Sequence, residues 1–280
     1  MQNIEGINNW VIRLTRSELP VLKQTARDLA VLRADDKKLT ARSISEVIAR
    51  DPIMTVKLLR YLQLHKHKVQ TAEVIQIEQA LLMLGLDAFF NKVALQPLVE
   101  DMLRTDMVAL APALRVIHRS HRASGYAKDW AVQLRDLHYE EVRIAALLHD
   151  IAEILMWCFA PRAMLEIRDI QQKDKTQRSH AVQEQVLGFS FIELQKELAI
   201  HWEMPGLLVT LMNDSNARLP RVRNVVLAVN LARHSANGWD DAALPDDYRD
   251  IGELLRIPAE QVMDMVAADE RTADDLGKPH

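Results

Sequence analysis

Residues 145–156 read Ala145-Ala146-Leu147-Leu148-His149-Asp150-Ile151-Ala152-Glu153-Ile154-Leu155-Met156. A helix drawn through this run is apolar nearly all round, which predicts a central, buried helix. His149 and Asp150 are then polar groups placed where the pattern demands core. Burying them is costly unless they find partners. Either a metal ion or a hydrogen-bond network must satisfy them. That choice separates an enzyme from a non-catalytic fold.

The rest of the chain bounds the possibilities. It has 280 residues, 49% hydrophobic and 26% charged, an ordinary globular balance. Only 8 Gly and 5% aromatic residues argue against a many-stranded fold. The net charge of −4 gives no reason to expect nucleic acid, although it leaves room for a local basic patch. The single Cys158 excludes an internal disulfide, fits a reducing cytosol and reads as a small buried hydrophobe. The start, Met1-Gln2-Asn3-Ile4-Glu5-Gly6, lacks the pattern of a signal peptide. No window approaches the ~20 apolar residues of a membrane span. A cytoplasmic protein without a membrane partner is the expectation.

Nearly every segment predicts helix. Ser43-Ile44-Ser45-Glu46 has the pattern of a capping box and opens a short helix ending near Arg50. Asp51-Pro52 starts another, with Asp as N-cap and Pro at the first helical position. A third runs from about Ile75 to Leu84 and stops at Gly85, and Asp87 caps the next. Leu64-His65-Lys66-His67-Lys68 reads as a solvated basic turn, and Asp101 to Pro112 as a connection. Helices are expected near Ala113–Leu134, Tyr139–Phe159, Pro161–Gln172, Arg178–Leu187, Ser190–Trp202, Gly206–Met212 and Val222–Ser235. Asn237 to Asp250 reads as an acidic loop, Pro258 to Ala268 as a last helix, and Asp269–His280 as a frayed polar tail.

Imidazole and carboxylate suit divalent first-row ions, but one helix cannot close such a site. Candidate ligands upstream are His118 and His121, three apart on one helical face. Downstream stand His180, His201 and Asp214. Each alone fits a surface or satisfied residue as well as a ligand. No Gly-rich phosphate loop, G-x-S-x-G elbow or Cys-based zinc motif is present.

Several segments taken in order resemble the HDOD domain, an output-type relative of the HD metal-dependent phosphohydrolases. Ala146-Leu147-Leu148-His149-Asp150-Ile151 is similar to the HD signature. Asp51-Pro52-Ile53-Met54-Thr55-Val56-Lys57-Leu58-Leu59-Arg60 resembles the family's D-P-x-[LM]-T-x-K helix, and Ile77 to Gly85 its I-x-x-A-[IL]-x-x-L-G segment. Glu184 to Ser190, His201-Trp202-Glu203-Met204-Pro205 and the Leu19-Pro20 opening complete the set, over roughly residues 12–235. The resemblance implies an all-α fold, an HDOD-like multi-helix bundle. An N-terminal helical subdomain (about 12–110) would pack on a degenerate HD-like one (about 111–235), with the ligand groove between them. Residues 236–280 would add an acidic loop, a short helix and a tail.

The departures from the HD pattern bear on activity. Asn230 stands where a metal-ligating Asp is expected, and a neutral amide lacks the charge a hard ion wants. Ile117 competes with His118 and His121 for the first-ligand register. Ile151-Ala152-Glu153 replaces the I-G-K that follows the pair in related phosphodiesterases, Phe191 replaces a His, and Asn213-Asp214 replaces a His-His pair. The expectation is a degenerate site made of His149, Asp150, Asn230, His118 and His121, with no cofactor. The module would serve bacterial signalling by binding a protein partner or a small ligand. The alternative is a metal-dependent phosphohydrolase acting on a nucleotide or cyclic dinucleotide, with His118 or His121, His149 and Asp150 on the metal.

Overall fold

The computed structural model describes residues 6–65, 73–93, 95–174 and 176–276, with backbone alone for 268–276. The fold is all-α. In chain order the helices are α1 (Ile7–Arg16), α2 (Lys23–Arg33), α3 (Ala41–Ile48), α4 (Pro52–Leu64), α5 (Ile77–Leu84), α6 (Leu86–Lys92) and α7 (Val99–Met102). There follow α8 (Met107–Gln133), α9 (Tyr139–Leu148), α10 (Ile151–Phe159), α11 (Pro161–Lys173), α12 (Ser179–Leu187), α13 (Phe191–His201) and α14 (Gly206–Leu211). A 3₁₀ turn (Asp214–Asn216), α15 (Pro220–Ser235), α16 (Leu244–Leu255) and α17 (Ala259–Leu276) complete the series. Among the described residues there is no strand, only an isolated bridge between Val21 and Leu98.

The chain divides into two compact units, residues 1–121 with 147–209, and residues 122–146 with 210–280. In the first unit α10 lies in the core. It packs on α4, α11 and α13, and seven of its nine residues are buried. Apolar burial of this kind stabilises by roughly 25 cal/mol per Å² removed from water.

Polar residues of α4 fasten that unit. Asp51 Oδ1 accepts the Ile53 and Met54 N–H groups, capping α4 as the sequence predicts, while Oδ2 accepts the Leu22 N–H from the start of α2. Thr55 Oγ1 donates to Ile48 O, and the buried Lys57 Nζ donates to Leu19 O and pairs with Glu18. The polar members of the Asp51-Pro52-x-x-Thr55-x-Lys57 motif thus satisfy backbone groups of the neighbouring segments, the condition for burying them.

Some boundaries differ from expectation. Thr40, not Ser43, caps α3; Ser43 is the third residue of the helix, closes the capping box and bonds back to Thr40. Gly85, at φ 82°, ends α5 and leads into α6, so Asp87 lies inside the first turn rather than at the cap. The expected connection before Ala113 is helical from Met107 and takes Pro112 into α8. The acidic stretch after Asn237 holds α16 from Leu244, because Pro245 near the start with Asp246 and Asp247 in the first turn favours a helix N-terminus. α17 runs on to Leu276 through the expected tail. Residues 66–68 of the basic turn lie outside the described residues; His65 ends α4 with its ring stacked on Tyr61.

The expected helix 139–159 is not continuous. α9 stops at Leu148, His149 and Asp150 form a turn, and α10 begins at Ile151. Adjacent side chains of an unbroken helix diverge by about 100°. Here the two meet, with His149 Nδ1 3.1 Å from Asp150 Oδ1.

Candidate functional site

A partner of the His149-Asp150 turn is Arg119, on α8. Its Nη2 donates to Asp150 Oδ2 at 2.6 Å and its Nε to the same oxygen at 3.2 Å. The same Nη2 donates to Glu153 Oε2 at 2.9 Å. Glu153 lies in the first turn of α10, where a carboxylate also favours the helix N-terminus. All of these groups belong to the first unit. An ionised carboxylate only accepts, so the His149 Nδ1 facing Asp150 carries the proton.

Arg119 and Asp150 keep only 16% and 9% of their side-chain surface exposed. Burial works against the Arg119 charge, but Asp150 and Glu153 outweigh it and hold the guanidinium pKa above the ordinary arginine value. Asp150 does not cap α10 with its side chain; its carboxylate is turned to Arg119 and His149.

The other expected site residues are placed differently. His118 and His121 share a face of α8, but both are exposed, while Arg119 between them reaches the pair. Ile117 is buried. His180, His201 and Asp214 are exposed. Asn230 stands half-buried on α15, in the second unit.

These residues do not fit the divalent ion that the HD lineage implies. A second cation at Asp150 would meet a guanidinium already 2.6 Å from its carboxylate. Among the described residues no three His, Cys, Asp or Glu side chains form a group able to hold a metal ion. Cys158, buried in α10, has its thiol pushed up to about 12 by burial, far from a reactive thiolate.

The sequence reading missed Arg119. The signal was there: it lies three residues after Val116 and four before Ala123, both buried, on the inward side of α8.

An all-helical bundle with a His-Asp turn between α9 and α10 is the pattern by which the chain resembles the HD-related class. Within that class the HDOD domain family matches residues 19–217, and the chain belongs to it. The fold is similar to that of the MmoQ response regulator of Methylococcus capsulatus, at 17% identity over 86% of this chain and 98% of that one, with a TM-score of 0.63. It is also similar to a virulence factor of Campylobacter jejuni, at 18% identity over 89% of each chain, with a TM-score of 0.68. No curated protein matches the chain. Among the described residues no single helix is long and apolar enough to cross a membrane.

Proposed function

We propose that this chain is a non-catalytic regulatory module of the HDOD family, working in the cytoplasm by binding a protein partner or a small ligand. The observation that carries the reading is the Arg119–Asp150 pair. An HD hydrolase would need a Lewis acid at its His-Asp pair to activate water, and in this chain a guanidinium of the chain's own pairs with that carboxylate. Membership of the HDOD family, and a fold similar to that of a response regulator, support a regulatory role.

The test is metal analysis and phosphodiesterase assay of full-length protein purified without chelator. The expected result is no stoichiometric Mn, Fe, Zn or Ni and no hydrolysis of a model phosphodiester. Bound metal with turnover, both lost in His149→Ala and in the milder Asp150→Asn, would establish the phosphohydrolase alternative instead. Thermal shifts against a nucleotide panel then separate small-ligand sensing from protein docking, since a ligand that binds only the folded state raises its stability.

A further inference from the structure

The second unit holds a cleft of about 790 Å³, within the range of small-molecule sites, which is about 300–1,000 Å³. Its walls are the end of α8 with the following turn, the start of α15 and the end of α16. Five arginines line it: Arg135, Arg218, Arg221, Arg223 and Arg256. Two are neutralised. Arg221 makes two bonds to Asp136, at 2.6 and 2.8 Å, and Arg223 bonds Glu253 at 2.7 Å. The side chains of Arg135, Arg218 and Arg256 are exposed and, among the described residues, form no ion pair or hydrogen bond. A chain of net charge −4 thus gathers three uncommitted guanidinium groups around one cleft.

The backbone makes a second, independent observation. Arg135 and Arg256 both take left-handed conformations, with φ 56° and 59°. Each follows a helix and is bracketed by a bond across the end, Asp136 N–H to Ala131 O and Ile257 N–H to Gly252 O. This is the position where glycine is favoured because it has no side chain to clash. Glu203 ends α13 in the same conformation, so the backbone alone carries nothing. What counts is that both such residues of the second unit are arginines and that both line the same cleft.

We propose that this cleft binds a small ligand carrying two or more phosphate groups, such as a nucleoside triphosphate. Guanidinium groups match phosphate oxygens in geometry as well as charge. Asp136 and Glu253 on the same walls, and the acidic balance of the chain, disfavour a long nucleic acid running past the cleft. A compact anion meets the three free arginines without that cost. On the wall, buried Asn224 donates its amide N–H to Ala127 O, and its Oδ1 has no partner among the described residues. The exposed Leu137 adds an apolar surface beside the charges. The site is independent of the His149-Asp150 turn, so its failure would leave the non-catalytic reading standing.

The test is calorimetric titration of the full chain with ATP and with inorganic tripolyphosphate, beside melting curves of the free protein. Arg135→Gly and Arg256→Gly keep both helix ends in a conformation glycine prefers. Each is expected to weaken binding of both probes at least tenfold, with the melting temperature of the free protein unchanged or raised. Absence of binding by either probe at millimolar concentration would overturn the proposal. So would affinities unchanged in both variants, which would assign the arginines to the negative ends of their helices alone. Tighter binding of a 20-nucleotide single-stranded RNA than of ATP would also overturn it, in favour of an extended nucleic-acid surface.

Discussion

Asp150 is nine-tenths buried, and Arg119 is what makes that burial tolerable. Removing one member of a buried pair leaves the other uncompensated, which is more damaging than removing both. Arg119→Ala is therefore expected to cost about 3 kcal/mol of stability. Urea titration checks this, and an unchanged midpoint would mean the pair contributes little. His149→Ala, which removes a smaller share of the network, should cost about 1–3 kcal/mol. Cys158 should resist a thiol reagent in the folded protein and react fully in denaturant; rapid labelling of the native state would contradict its burial in α10. At this scale the sequence declared the need but not its answer. Two polar residues in an apolar run demand partners wherever they sit, whereas the partner lies 31 positions away, in a string of His and Arg that composition alone reads as solvated.

Elements were legible where their end signals are local. Asp51-Pro52 and Gly85 act through their own dihedral limits and their own side chains, so the ends they mark fall where expected. α16 was missed because its acidic first turn carries the same composition as an acidic loop. The helix break at His149-Asp150 was missed because periodicity is blind to a turn inside a uniformly apolar run. Asp51 joins two elements through one carboxylate. Asp51→Ala should cost roughly 2–4 kcal/mol, combining a lost cap with an orphaned Leu22 N–H. Asp51→Asn should recover part of it, and thermal melts of the three proteins decide.

The turn after α8 offers a pH test. Burial alone would raise the Asp136 carboxyl, but the bonds from Arg221 and from the His138 N–H outweigh it and hold it below the ordinary aspartate value of 3.8. A carboxyl depressed in the folded state stabilises the fold above its unfolded pKa. That contribution disappears as pH falls through the lower folded value. Wild-type protein should therefore lose stability below about pH 4 more steeply than Asp136→Asn, as read from urea midpoints across pH. Equal slopes would show that the ion pair does not couple to folding.

Across the whole molecule, the family match ends at residue 217, but the second unit draws most of its chain from beyond it. Arg221 and Asn224, which hold Asp136 and the Ala127 carbonyl, both lie past that boundary. A chain ended after Ala217 should melt at lower temperature and bind a hydrophobic dye. Melting like the full chain would show that the later helices are dispensable to the fold. The interleaving of the two units was invisible in the sequence, since no composition shift marks the crossings at 121, 146 and 209.

The Arg119–Asp150 pair bears on how the protein comes to exist in a cell. A site that borrows its positive charge from solution depends on ion supply, on transporters and on competition with other apoproteins. Here the charge is encoded, and it arrives with the polypeptide 31 residues ahead of the carboxylate it serves. Prolonged treatment with a strong chelator is accordingly expected to leave the melting temperature where it was, while a fall would mean that an ion shares Asp150 with Arg119. On this account a cell starved of trace metals would mature the module as well as a replete one, with no loading step between synthesis and use.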